Sequence, residues 1–261
     1  MTTAIEYVNE SWNPIQERRK GKTGRGYHCT KISDGCRHCW AERFNIRFGN
    51  GLPFDDSPVE FELIQKAFEQ LLHWKKPRRV LVQPMGDLFH NYVPPQLILS
   101  IFQQIAQRPE HTYFILTKRP ARMLMLLKWD EFKMQSGFIG ANYPPNIYLG
   151  VTIESGKYIH RIDDLLQIPG KHWVSVEPML GPVDISQTVT YWDDPSAGIN
   201  WVIAGCESGP GRRPAKIEWF QDLKNQCVLA GVPFFLKQIQ GNDGRVYHMP
   251  FMDGKVWDQM P

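Results

Sequence analysis

No apolar run approaches the roughly 20 residues a membrane-spanning helix needs, and this argues against a helical membrane protein. Net charge is also small. The 30 Lys+Arg against 27 Asp+Glu leave +3, too little for charge alone to mark a nucleic-acid partner. Cysteine is scarce and odd in number, five in all, and does not suit a disulfide framework. Neither a G-x-S-x-G turn nor an H-E-x-x-H pair occurs, so hydrolase chemistry of those kinds has no support. There is no fixed-period repeat, low-complexity tract or linker between two domains. The opening stretch MTTAIEYVNESWNP lacks the basic-then-apolar layout of a secretory signal. The expectation is a soluble, cytoplasmic protein with no membrane partner.

What is present is enough for one substantial core. A chain of 261 residues with 42% hydrophobic content suits a single α/β domain, and α/β barrels commonly occupy about 200–250 residues. Six short apolar runs predict strands: 79–83, 111–116, 146–151, 172–176, 201–204 and 233–236. Each ends in a polar or glycine-bearing cluster. Segments 61–74, 96–107, 119–129, 157–167 and 217–230 carry apolar residues at helical intervals, and that alternation is the signature of βαβ units. The fold class expected is a partial or complete parallel (β/α) barrel spanning 1–261, with a further strand at Tyr27 to Thr30 leading into a cysteine loop.

Parallel sheets and barrels gather ligands at the carboxyl ends of their strands. The charged residues expected there, Lys118, Arg119, Glu177 and Lys237, are therefore site candidates, with a solvated surface role as the alternative. Two excursions, Glu17 to Gly26 and Asp130 to Pro145, read as loops over the site. The first includes Arg18, Arg19, Lys20, Lys22 and Arg25, which suit either a solvated loop or phosphate contact.

Cys29, Cys36 and Cys39 stand in C-x6-C-x2-C spacing within the polar stretch 28–40. Three thiolates leave one metal position open. Spacing alone admits two readings: an iron–sulfur cluster with one iron free to take another ligand, or a zinc site completed by His28 or His38. Cys227 falls on the apolar face of a predicted helix and reads as packing. Cys206 ends a strand, where packing is again preferred to a site role. His90 and His111 belong to no ligand-spaced pair, and Trp12, Trp40 and His38 either pack or shield the site.

The cysteine stretch combines with Met85-Gly86-Asp87-Leu88-Phe89-His90, Leu116-Thr117-Lys118-Arg119-Pro120, Ser175-Val176-Glu177-Pro178 and Gly205-Cys206-Glu207-Ser208-Gly209. Together these resemble a phage-associated, radical-SAM-like protein family, most of whose members are uncharacterised. The resemblance runs from Ser11-Trp12-Asn13-Pro14 to Lys237-Gln238. The commonest radical-SAM spacing is C-x3-C-x2-C, and this chain has three more residues between its first two cysteines.

The resemblance implies a [4Fe-4S] cluster on Cys29, Cys36 and Cys39, with S-adenosyl-L-methionine on its open iron and an external one-electron donor. Reductive cleavage would give a 5′-deoxyadenosyl radical that abstracts hydrogen from a substrate. Among residues, it implies Gly86 and Asp87 at the methionyl ammonium, Thr152 and Glu154 at the ribose, Gly205 and Ser208 near the adenine, and His38 beside the cofactor. Lys118, Glu177, Glu207 and Lys237 are left as the catalytic candidates. The phage association suggests DNA or a modified nucleotide as substrate in a host cytoplasm, and a base in duplex would have to leave the stack. The expectations competing with it are a zinc-stabilised binding barrel without redox chemistry and a cluster protein that carries electrons only.

Overall fold

The structure, a computed structural model, describes residues 5–18, 26–136, 144–188 and 198–261. In chain order come β1 (Glu10–Trp12), β2 (Ile15–Arg18), α1 (Trp40–Phe48), β3 (Glu60–Leu63), α2 (Gln65–His73), β4 (Arg79–Val82) and α3 (Pro95–Ala106). Then follow β5 (Thr112–Thr117), α4 (Pro120–Lys128), α5 (Asp130–Gln135), β6 (Ile147–Thr152), α6 (Arg161–Leu165), β7 (Lys171–Val176) and β8 (Ile199–Gly205). The chain finishes with α7 (Ile217–Leu229), β9 (Phe234–Gln240), β10 (Val246–His248), β11 (Phe251–Met252) and β12 (Lys255–Val256).

One eight-stranded sheet, ordered β1-β4-β5-β6-β7-β8-β9-β10, organises the domain. Its strands pair in parallel from β1 to β9, and only β10 runs antiparallel. The sheet curls into a partial (β/α) barrel. Because side chains alternate across a strand, Tyr113, Ile115, Leu149, Val151, Val174, Val202 and Leu236 pack with residues of the helices, including Ile101 and Phe102 of α3 and Phe220 and Leu223 of α7. The opposite, concave face carries Phe114, Tyr148, Trp173, Trp201 and Phe235, which cluster with Tyr7 and with no residue of a helix. Tyr7 stands edge-on to Trp173, Trp201 and Phe235 at 5.6–6.2 Å, the favoured aromatic geometry. These rings form a dry floor. Gly150 leaves room for the Trp173 indole, since a Cβ there would lie 2.3 Å from its Nε1.

Four expectations are corrected. Tyr27 to Thr30 forms no strand: the Tyr27 amide donates to Asn45 Oδ1 at 2.9 Å, and the edge beside β4 is taken by β1, with Glu10 to Trp12 in register with Val80 to Val82. Segment 61–74 is not helical throughout. Glu60-Phe61-Glu62-Leu63 alternates with period two and pairs antiparallel with β2 before α2 begins at Gln65. Segment 157–167 is helical only over Arg161–Leu165, after a single turn at Gly156–Tyr158. The stretch expected as a loop from Asp130 to Pro145 instead begins with the helix α5 over Asp130–Gln135; residues 137–143 of it, like Arg19, Lys20, Lys22 and Arg25, lie outside the described residues. No helix among the described residues is long and apolar enough to cross a membrane.

Candidate functional site

The cysteine loop lies across the carboxyl ends of β4, β5 and β6, where two knots of buried charge hold it. The first is centred on Glu154, fully buried just beyond β6. Its Oε1 accepts from Lys118 Nζ at 2.6 Å and from the Ser33 hydroxyl, and its Oε2 accepts from Arg161 Nη1 at 3.0 Å. Lys118 Nζ also lies 3.2 Å from Ser33 Oγ and 3.6 Å from Cys36 Sγ. Gly35 makes this approach feasible, because a Cβ there would come within 2.6 Å of the Glu154 side chain. Arg161 also caps the Thr152 carbonyl at 2.6 Å.

The second knot is centred on Asp87. Gln83 turns the chain out of β4 with φ 53, a conformation that costs a non-glycine residue free energy, and its side-chain amide is anchored to both the N–H and the carbonyl of Ile15. Beyond this turn Asp87 Oδ1 accepts from Thr117 Oγ1 at 2.7 Å and from the Phe89 N–H at 2.9 Å. Its Oδ2 accepts from Arg119 Nη1 at 2.8 Å and from the Lys118 N–H at 3.2 Å. Arg119 continues to the loop, donating to Thr30 Oγ1 at 2.6 Å and reaching Cys29 Sγ at 3.8 Å. Asp87 thus orders the mouth through Arg119 and caps the segment that follows it. Gly86 packs directly below, its Cβ position 3.0 Å from the His28 carbonyl.

The three thiols sit in unequal fields. Burial opposes ionisation of Cys36 most strongly, but the Lys118 charge, the Ser33 hydroxyl and nearby backbone N–H groups outweigh it, leaving the thiol below its ordinary value. Burial and the Asp87 carboxylate push Cys29 up to about 12, and burial raises Cys39. Cys29 and Cys39 pack against a small apolar cluster of Ala41, Phe54 and Met85. Burial also disfavours the charged Lys118 amine, yet Glu154 and Cys36 hold it above its ordinary range. Among the described residues, no group of three or more His, Cys, Asp or Glu is arranged to hold a single metal ion. A four-iron cluster makes a different demand, since its cysteines bind separate irons. Three thiols on one partly apolar loop, two of them within reach of cationic side chains, fit that donor set.

Two further groups complete the rim. Glu177 Oε1 pairs with Lys237 Nζ at 3.0 Å and its Oε2 accepts from Ser175 Oγ at 3.2 Å. Lys237 stands 5.9 Å from the Tyr7 ring, so this half-buried pair lies just above the aromatic floor. Gly205 faces it, its Cβ position 3.1 Å from Glu177 Oε1. On the outer side Glu207 Oε2 accepts from the Arg213 N–H at 2.8 Å and Nε at 3.1 Å, and Arg213 Nη2 donates to the Asp34 carbonyl at 2.9 Å. Asp34 is also paired with Lys157 at 3.2 Å, and its N–H donates to the Tyr158 hydroxyl. His38 borders Gly211, whose Cβ position lies 3.5 Å from its ring. Ser208 offers its carbonyl to Arg43 at 3.5 Å.

The sequence candidates therefore fall into four neighbourhoods: Lys118, Glu154 and Cys36; Gly86, Asp87 and Cys29; Glu177, Lys237 and Gly205; Glu207 with the His38 and Ser208 loops. Ser33, Arg161, Arg213 and Tyr7 were not foreseen. Trp12 is a core residue whose Nε1 donates to the Ala67 carbonyl at 2.7 Å. His28 turns to Glu17, 3.6 Å away, and packs on Phe54, Phe61 and His90. His111 is buried between Trp74 and Tyr113, and Cys206 and Cys227 are free, buried thiols.

No curated protein and no solved structure matches the chain. The family model described as a protein of unknown function (DUF5131) matches residues 2–261, and the chain belongs to that family.

Proposed function

We propose that this chain is a radical S-adenosylmethionine enzyme. The observation that carries the reading is a three-cysteine loop at the carboxyl ends of parallel strands, with Lys118 Nζ between Cys36 Sγ at 3.6 Å and buried Glu154 at 2.6 Å. Cys29, Cys36 and Cys39 would hold a [4Fe-4S] cluster. Together with S-adenosylmethionine, the cluster would supply one-electron reductive chemistry, with the electron coming from an external donor.

The protein's part is binding, orientation and exclusion of water. Lys118 and Arg119 offset thiolate charge at Cys36 and Cys29 and are themselves held by Glu154 and Asp87. Thr152, Glu154, Gly205 and Ser208 line the strand ends where the nucleoside part of the cofactor would lie. Glu177 and Lys237 form an ion pair 3.0 Å apart above the floor, so a substrate in the lumen would meet both a hydrogen-bond acceptor and a donor. The rings of Tyr7, Phe114, Tyr148, Trp173 and Trp201 close the lumen from below and would exclude water from bound substrate.

The test is anaerobic reconstitution, reduction with dithionite and chromatographic assay for 5′-deoxyadenosine from S-adenosylmethionine. The wild type is expected to form it and Cys36→Ala to lose it. A fully loaded wild-type protein that forms none overturns the reading.

A further inference from the structure

Helix α1 is amphipathic the wrong way round. Its buried residues are Ala41, Glu42 and Asn45, and the two polar ones are satisfied inside: Glu42 accepts from the Phe54 N–H at 3.0 Å and from Lys31 at 2.9 Å, while Asn45 bonds the Tyr27 N–H at 2.9 Å and the Leu52 carbonyl at 3.0 Å. Its solvent side instead carries Trp40, Phe44 and Phe48, which are 45%, 48% and 63% exposed. These three recur at i, i+4 and i+8, with Arg43 and Arg47 at i+3 and i+7, so all five share one stripe. A helix in an ordinary domain buries such a stripe. Here it is left open, at the cost of exposed apolar area.

The charge along the stripe has one sign. Arg47 is exposed and Arg43 is half-buried, Arg37 just ahead of the helix is exposed as well, and the one carboxylate of the helix, Glu42, points inward. Arg47 lies 4.9 Å over the Phe48 ring, and the Phe44 and Phe48 rings are 4.9 Å apart. Aromatic rings interleaved with guanidinium groups match a strand that offers unpaired π-faces and phosphates together. The rings stand one per turn of the helix, with Phe44 and Phe48 in contact, and form an aromatic surface on which splayed single-stranded bases can stack and the covered base faces of a duplex cannot.

The stripe is also aimed. Trp40 directly follows Cys39. Arg43 packs over Gly209, where any Cβ would overlap its guanidinium, and reaches the Ser208 carbonyl at 3.5 Å. One end of the track is therefore the barrel mouth.

We propose that the Trp40–Arg43–Phe44–Arg47–Phe48 stripe of α1 binds single-stranded nucleic acid and leads it to the barrel mouth. That the strand is a substrate rests on the radical reading above; that it binds does not.

The experiment is fluorescence anisotropy with full-length protein and labelled DNA and RNA strands of about 12 nucleotides, within the span one such platform covers, against a duplex of the same sequence. Affinity is expected to fall with salt, and the duplex to bind more weakly than either strand. Phe44→Ala and Phe48→Ala should each weaken strand binding on the order of tenfold. Arg47→Ala should weaken all sequences alike and reduce the salt slope by about 0.7. Unchanged thermal unfolding of these surface variants keeps folding out of the comparison. Absence of strand binding at low salt, or wild-type affinity in the double variant Phe44→Ala/Phe48→Ala, overturns the proposal. So does self-association by sedimentation that the same variants abolish, because the face would then belong to a second copy. Strand binding that persists in a protein making no 5′-deoxyadenosine would sink the radical reading and leave this one standing.

Discussion

The two ends of the barrel lumen are built from opposite materials. At the floor, Tyr7, Phe114, Tyr148, Trp173, Trp201 and Phe235 pack ring against ring. At the mouth, Glu154 and Asp87 between them engage Lys118, Arg119, Arg161, Thr117 and Ser33. The floor is held by burial, which is non-directional and tolerates sliding. The mouth is held by charge-assisted hydrogen bonds, which fix direction but are costly to leave half-made. A lumen of this design keeps water out below and holds a loop in register above. Stability should therefore reside chiefly in the floor, and loop placement in the mouth.

The most forceful way to break the comparison is at the floor. Trp173→Ala removes a fully buried indole and is expected to lower unfolding free energy by about 3–5 kcal/mol, read by denaturant titration. The cysteine loop of the folded fraction should keep its wild-type protection from proteolysis. At the mouth, Glu154→Gln leaves Lys118 and Arg161 without their shared carboxylate, with an expected loss of about 3 kcal/mol. Here hydrogen exchange should quicken at Ser33 to Cys36 beyond what the global loss explains. Equal loosening of the loop in both variants would erase the distinction.

A third effect comes from buried histidines. Burial, with the Arg119 charge second, pushes His90 down to about 4, and burial lowers His111 and His172. Unfolded, each titrates near about 6.5. The unfolded state then binds more protons below that value, so stability is fully present above about 6.5 and is lost as pH falls toward about 4 for His90. Unfolding titrations across this window should show the decline, and His90→Asn should flatten part of it. The smallest effect is at the surface: Phe48→Ala should change stability by less than about 0.5 kcal/mol, whatever it does to strand binding.

Much of the sheet was legible because β4 to β9 are built around apolar runs with polar ends, the pattern of strands buried on both faces. β1 escaped notice because it is only three residues long and contains Glu10. The stretch at 60–63 was absorbed into a helix because Phe61 and Leu63 also fit helical spacing with Phe68 and Leu71. At the site, cysteines and strand-end charges could be named, since local sequence marks them. Their supports could not: Ser33 meets Glu154 across 121 residues and Arg213 meets Asp34 across 179. Only the three-dimensional curl brings such pairs together. The inverted character of α1 was likewise hidden, because its sequence shows an aromatic stripe without showing which side is covered.

The central claim is that the three-cysteine loop carries an iron–sulfur cluster, and its most direct measurement is iron, acid-labile sulfide and zinc analysis of protein purified without oxygen. About four irons and matching sulfide per chain, lost in Cys36→Ala, is the predicted result; stoichiometric zinc with no iron, in protein prepared under the same strict exclusion of air, would contradict it.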